Sequence, residues 1–156
     1  MDFEEYVAVR RPALVRSAVL LGCTSDDAED LVQVTLTKCF QHWRKVSRAD
    51  RPDAYVYRIL VNALRDQRSR FWHGETPTEQ LPETALEVDP TSGLAVRAAL
   101  ALLTKEHREV LVLRFYADLS ERDTARVLGV AAGTVKSRTA RALAALSLDQ
   151  NIARSH

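Results

Sequence analysis

Only two cysteines, Cys23 and Cys39, occur in the 156 residues, and they form neither a CxxC pair nor a cluster with histidine. A zinc site and a disulfide framework are therefore not indicated, and both thiols are expected to be buried as small apolar groups. The chain also lacks any stretch near the roughly 20 apolar residues that span a bilayer, and no apolar run follows a basic start. No membrane segment is expected, and a cytoplasmic location is the default. The four histidines, His42, His73, His107 and His156, have no partner at metal or nucleophile spacing, and no glycine-rich phosphate loop is present. No enzyme active site, metal or cofactor is expected from such a pattern. His42, beside Trp43, reads as an edge-of-core residue.

One further absence is local. From Phe71 to Gly93 there is no Lys or Arg, while Glu75, Glu79, Glu83, Glu87 and Asp89 are all present. Gly74, Pro77, Pro82 and Pro90 break any long periodicity here, so the segment reads as an acidic linker. The net charge of +1 hides this asymmetry. Between Gln41 and Arg70, Arg44, Lys45, Arg48, Arg51, Arg58, Arg65, Arg68 and Arg70 outnumber Asp50, Asp53 and Asp66, and the chain is basic again beyond Glu121.

What is present is helical periodicity, with no convincing alternating strand. A first helix is expected over Phe3 to Leu21, bent near Pro12, with Tyr6, Val9, Leu14, Ala18 and Leu21 inward and Gly22 as its stop. Thr24, Ser25 and Asp26 offer caps for a second helix that places Ala28, Leu31, Val32, Leu36, Cys39, Phe40 and Trp43 on one broad face. A loop over Lys45 to Arg51 then leads to Pro52, a favourable first helical residue, and to a helix reaching about Phe71. Patterning resumes at Leu94, and Thr104 opens a helix ending near Tyr116. The fold class is all-α: two small helical domains, 1–70 and 94–150, joined by an extended acidic linker over 71–93.

The stretch DLSERDTARVLGVAAGTVKSRTARALAAL, Asp118 to Leu146, carries the clearest functional signal. Ser120 is placed to cap a helix through Arg122, Ala125 and Leu128, and Gly129 supplies the permissive backbone for a turn. A second helix starting near Ala131 sends Val135, Thr139, Ala142 and Leu146 inward and leaves Lys136, Ser137, Arg138 and Arg141 outward. Two short helices of this kind, the second small and basic at its start, suit a major groove.

With its upstream flank, this becomes LTKEHREVLVLRFYADLSERDTARVLGVAAGTVKSRTARAL, which resembles region 4 of bacterial extracytoplasmic-function sigma factors. DAEDLVQ and PDAYVYRILVNALRDQRSR resemble their region 2. The similarity covers nearly the whole chain in the family's order, and TVKSRTARALAAL looks most like the actinobacterial SigE type. The resemblance implies a promoter-specificity subunit whose partners are the RNA polymerase core, through the β′ clamp helices, β flap and RNA exit channel, and promoter DNA. An anti-sigma factor is a further partner that the family leaves open.

Residue by residue, the resemblance implies that Asp30, Gln33, Val34 and Thr37 face the core polymerase. Val34 stands where the family often has an acidic residue. For the −10 element it implies Arg48, Arg51, Tyr55, Arg58, Asn62, Arg65 and Arg68, with Lys45 to Arg51 forming a loop around an extruded base. Tyr57 is better assigned to packing. For the −35 element it implies Thr134, Lys136, Ser137, Arg138 and Arg141, while Ala140 and Leu143 are smaller or less polar than is common there. The acidic linker would enter the channel later used by nascent RNA, one polyanion standing in for another. Two other readings remain open: a stand-alone LuxR-like regulator, which leaves DLVQ and YRILVN unexplained, and a sigma mimic that sequesters an anti-sigma factor.

Overall fold

A computed structural model describes residues 2–74 and 93–154, with side chains described for 2–70 and 93–148. The described residues are helical apart from short connections and contain no strand. The order is α1 (Phe3–Leu20), α2 (Ser25–Gln41), α3 (Trp43–Arg48), α4 (Pro52–Gly74), α5 (Gly93–Ala101), α6 (Lys105–Leu111), a widened turn (Val112–Tyr116), α7 (Glu121–Leu128) and α8 (Ala132–Arg154). The acidic segment lies outside the described residues except at its edges, where 71–74 extend α4 and Gly93 begins α5.

Local chemistry sets the helix starts. The side chains of Asp2, Thr24, Thr104 and Ser120 each accept a hydrogen bond from a backbone N–H three residues on, satisfying a donor that the first helical turn leaves free. Helix ends follow the glycines: Gly22 has φ +115° after α1, and Gly129 closes α7 in the left-handed region at φ +71°. Pro12 lies within α1. Between α6 and α7 the backbone widens, with the Ala117 N–H donating to the Val112 carbonyl five residues back and Asp118 at φ +57°.

The first module packs α1, α2 and α4 around Leu14, Ala18, Leu31, Val32, Cys39, Val56, Leu60 and Val61. Tyr57 belongs to this core, its hydroxyl 2.7 Å from that of Ser17. Asp53, in the first turn of α4, ties α1 down by accepting from the Tyr6 hydroxyl at 3.0 Å and pairing with Arg10 at 2.8 Å. The second module closes on Val110, Val112, Leu113, Ala125, Val127, Val135 and Ala142. The modules meet: α7 packs on α4, α5 on α1, and the buried side chains of both form one cluster.

Four expectations change. Val9 is 63% exposed and Phe40 64%, so neither joins the core. Phe40 instead stacks edge-on against Phe3 with ring centroids 5.1 Å apart, at the margin of an aromatic group with Trp43 and Tyr6. The segment after α2 is not a loop, because α3 continues the helical path after a break at His42 and buries Val46 fully; only residues 49–51 stay non-helical. His42 itself is exposed at that junction.

Cys23 and Cys39 are free and buried. Burial pushes both thiols from an ordinary 9.0 up to about 11. Burial also pushes the Tyr6 and Tyr57 hydroxyls upward. Below pH 9 the thiols stay protonated whether the chain is folded or not, so their contribution is fully present there. Between pH 9 and 11 only the unfolded chain ionises them, and each thiol then removes up to about 1.4 kcal/mol per pH unit. The urea midpoint is expected to fall across this window, less steeply in Cys23→Ala/Cys39→Ala. A parental slope in that variant would assign the fall to the tyrosines alone.

Candidate nucleic-acid and polymerase interfaces

The residues expected to face the core polymerase lie on the outer side of α2. Asp30, Gln33, Val34 and Thr37 are all exposed there, at spacings of three and four that keep them on one side of the helix. The Thr37 hydroxyl donates to the Gln33 carbonyl at 2.8 Å, which leaves its methyl and lone pairs outward. Val34 is 47% exposed and lines a shallow groove of about 90 Å³ with Leu31, Lys38, Ala63, Asp66 and Arg70.

The residues assigned to the −10 element separate into two groups. Arg48, Arg58 and Asn62 are exposed and Tyr55 is half-buried, so Tyr55, Arg58 and Asn62 form one stripe along α4. Arg51, Arg65 and Arg68 are already engaged within the chain. The Arg65 guanidinium lies 3.8 Å from Glu109 and donates to the Leu128 carbonyl at 3.5 Å. Arg51 lies 3.8 Å from Asp123, and Arg68 donates to the Leu21 carbonyl at 2.9 Å.

Arginine gathers around the end of α1, where free carbonyls and the helix dipole present negative potential. Alongside Arg68, Arg97 of α5 donates to the Cys23 carbonyl at 3.2 Å. Arg108 donates to the carbonyls of Leu100, Ala101 and Leu103. Burial, and then the neighbouring Arg68, push the Arg108 pKa down. A Cβ on Gly22 would lie 3.1 Å from Arg68 and 3.3 Å from Arg108, so glycine serves both the turn and the close approach.

The residues expected at the −35 element lie on α8. Val135 and Ala142 are fully buried, which anchors one side of the helix against α6 and α7. Lys136, Ser137 and Arg141 are exposed, and Thr134 and Arg138 half-buried. The Ser137 hydroxyl donates to the Gly133 carbonyl at 3.0 Å, so outward it offers an acceptor. Ala140 and Leu143 are exposed on the same helix, leaving the outward chemistry to the neighbouring basic side chains.

Glu109, Asp123 and Arg97, which bind the two modules to each other, and Arg108, which ties α6 to the end of α5, were not among the sequence candidates. Glu109 gave a signal, since it opens the run EVLVLRF at a position that helical spacing buries. Its partner is invisible in the sequence, being 44 positions away on another element.

Comparison with known proteins agrees with this division. Residues 7–73 match the family model for sigma-70 region 2 and residues 93–146 that for sigma-70 region 4. The RNA polymerase sigma-E factor of Streptomyces coelicolor is 40% identical over 154 residues, covering 94% of this chain and 84% of its own length. The ECF RNA polymerase sigma factor SigL of Mycobacterium tuberculosis is 34% identical over 154 residues, covering 94% and 85%. Among solved structures, the sigma factor RpoE of Bartonella quintana, in complex with the anti-sigma factor NepR, superposes with a TM-score of 0.75 at 28% identity, covering 93% of this chain and 94% of that one. CnrH, in complex with the cytosolic domain of CnrY, gives 0.69 at 28%, covering 96% and 88%. No described helix is long and apolar enough to cross a membrane. With both signature regions in order and relatives that align over almost its full length, the chain belongs to the extracytoplasmic-function sigma factors of the sigma-70 family and is similar to the actinobacterial sigma-E type.

Proposed function

We propose that this sigma factor docks on core RNA polymerase through Asp30, Gln33, Val34 and Thr37 of α2. In the resulting holoenzyme α4 engages the −10 element and α8 the −35 element. The observation that carries this reading is the outward basic face of α8, held by the Gly129 turn and the buried Val135 and Ala142. Lys136, Arg138 and Arg141 would supply phosphate affinity and Ser137 and Thr134 short polar contacts, the division of labour expected in a major groove. On α4, Asn62 would contact a base edge, Arg58 and Arg48 phosphates, and Tyr55 an unstacked base. The protein would thus open DNA by capturing a flipped non-template base, offsetting an unstacking cost of a few kcal/mol.

The sequence boundaries of 1–70, 71–93 and 94–150 belong to the same proposal, with the acidic linker in the RNA exit channel and region 4 near the β flap. An anti-sigma factor is a natural further partner, because the structurally similar sigma factor RpoE is seen in complex with one. The exposed basic surfaces weigh against a mimic, which has no need of them.

Run-off transcription with purified core polymerase over a genomic promoter pool tests the proposal. The chain is expected to direct transcription from a discrete promoter set. Lys136→Ala and Arg141→Ala are each expected to lower the yield from −35-dependent promoters by about five-fold or more. Equal yield from parent and variant holoenzymes would overturn the −35 assignment.

A further inference from the structure

Arg68 stands apart from the outward stripe of Tyr55, Arg58 and Asn62, because its guanidinium turns to the end of α1. Two more arginines arrive at the same place. Arg68 Nη2 and Arg108 Nη1 lie 3.1 and 3.3 Å from the single point that a Gly22 Cβ would occupy, so two guanidiniums stand side by side. Arg97 Nη2 is held one residue further on, at the Cys23 carbonyl.

Like charges at this range repel, and partial burial strengthens the repulsion. The lowered pKa of Arg108, caused first by burial and then by Arg68, reflects that crowding. No carboxylate among the described residues lies within ion-pair distance of any of the three. Glu109, next to Arg108 in sequence, is paired with Arg65 instead, and Asp26 and Asp27 in the first turn of α2 are exposed and pair with none of them. Backbone carbonyls answer only part of the charge. A guanidinium carries five N–H donors. Arg68 and Arg97 each give one to a carbonyl, while Arg108 commits Nε and Nη2 to the end of α5 and leaves Nη1 beside Gly22.

We propose that Arg68, Arg97 and Arg108 form a binding site for a small phosphate anion, pyrophosphate or the diphosphate of a nucleotide, seated over Gly22. Guanidinium forks match phosphate oxygens in pairs, and such charge-assisted bonds are among the strongest a protein makes. Gly22 is exposed and has no side chain to fill the space between Arg68 and Arg108. A small anion suits the place better than a duplex. The three arginines are half-buried among helix ends, whereas phosphates of a duplex are met by side chains that stand clear of the surface, as Lys136 and Arg141 do on α8. The site draws on α4, α5 and α6, and it is independent of the proposed promoter contacts, which use none of the three.

The test is isothermal titration of the full chain with pyrophosphate, at fixed ionic strength and without divalent cations. One saturable site is expected. Arg68→Gln and Arg97→Gln each remove a fork and are expected to weaken binding about 10-fold, and Arg68→Lys less, since it keeps the charge without the fork. Arg44→Gln, which alters an exposed arginine on α3, is expected to bind as the parent does. Far-UV circular dichroism checks that each variant is folded, and Arg97→Gln, which gives up a single hydrogen bond, carries the test where Arg68→Gln loses helicity. Absence of saturable binding by the parent, or parental affinity in both glutamine variants, would overturn the site. Equal weakening in Arg44→Gln would overturn it too, by marking a diffuse response to positive charge. Displacement of pyrophosphate by a short mixed-sequence duplex would overturn the small-anion assignment and give the arginines to nucleic-acid phosphate.

Discussion

Arg58→Ala/Asn62→Ala is expected to lower the rate of open-complex formation on the order of 100-fold, while leaving core-polymerase binding within about two-fold of the parent. The two side chains lie four residues apart on α4, both exposed, with Tyr55 one turn before them. The inner side of the same helix is fixed by Val56, Leu60 and Val61, each fully or almost fully buried, so the outer stripe is held to a definite orientation. Losing an amide contact to a base edge removes roughly 1–3 kcal/mol, and losing a phosphate contact adds to it, which together give the quoted factor. Permanganate reactivity of unpaired promoter thymines, followed against time with saturating holoenzyme, measures the effect. Since α2 is untouched, an equal loss in core binding would point to misfolding. Parental melting rates would remove Arg58 and Asn62 from the −10 surface.

Much of the architecture was legible because the signals are local. Capping side chains at Thr24, Thr104 and Ser120, and glycines at 22 and 129, mark helix limits within a few residues of the backbone groups they serve. The helix α8 was legible for the same reason, since its buried and exposed positions differ only by helical phase. Where the reading failed, packing between distant segments decided. Phe40 fits the inward stripe of α2 by spacing, yet it lies past the end of the packed face and meets Phe3 instead. The assumed loop at Lys45 to Arg51 has no glycine or proline before Pro52, and burial of Val46 is enough to keep its first half helical. The pairing of Arg51 and Arg65 with Asp123 and Glu109 was out of reach altogether, because it depends on where a second module sits. An arginine reads the same in sequence whether its partner is a phosphate or a glutamate.

On the polymerase-binding side, Asp30→Lys is expected to weaken binding to core polymerase about 100-fold. Asp30 is exposed, and no side chain among the described residues pairs with it, so its charge is available to a partner. Reversing a charge in a complementary interface replaces attraction by repulsion and leaves the facing group desolvated, a loss of roughly 2–5 kcal/mol. Titration of fluorescently labelled chain with core enzyme reads the affinity directly, and a change under three-fold would remove Asp30 from the interface. Val34 tests the character of the neighbouring contact. Its groove has an apolar floor of Leu31 and Ala63, with Lys38, Asp66 and Arg70 around it, so a partner reaching that floor would meet it through apolar contact. Val34→Glu would replace that apolar contact with a carboxylate over the floor, and about 10-fold weaker binding is expected despite the acidic residue common at this position in the family. Tighter binding by Val34→Glu would mean that the partner presents a cation there, and that valine is the poorer ligand for it.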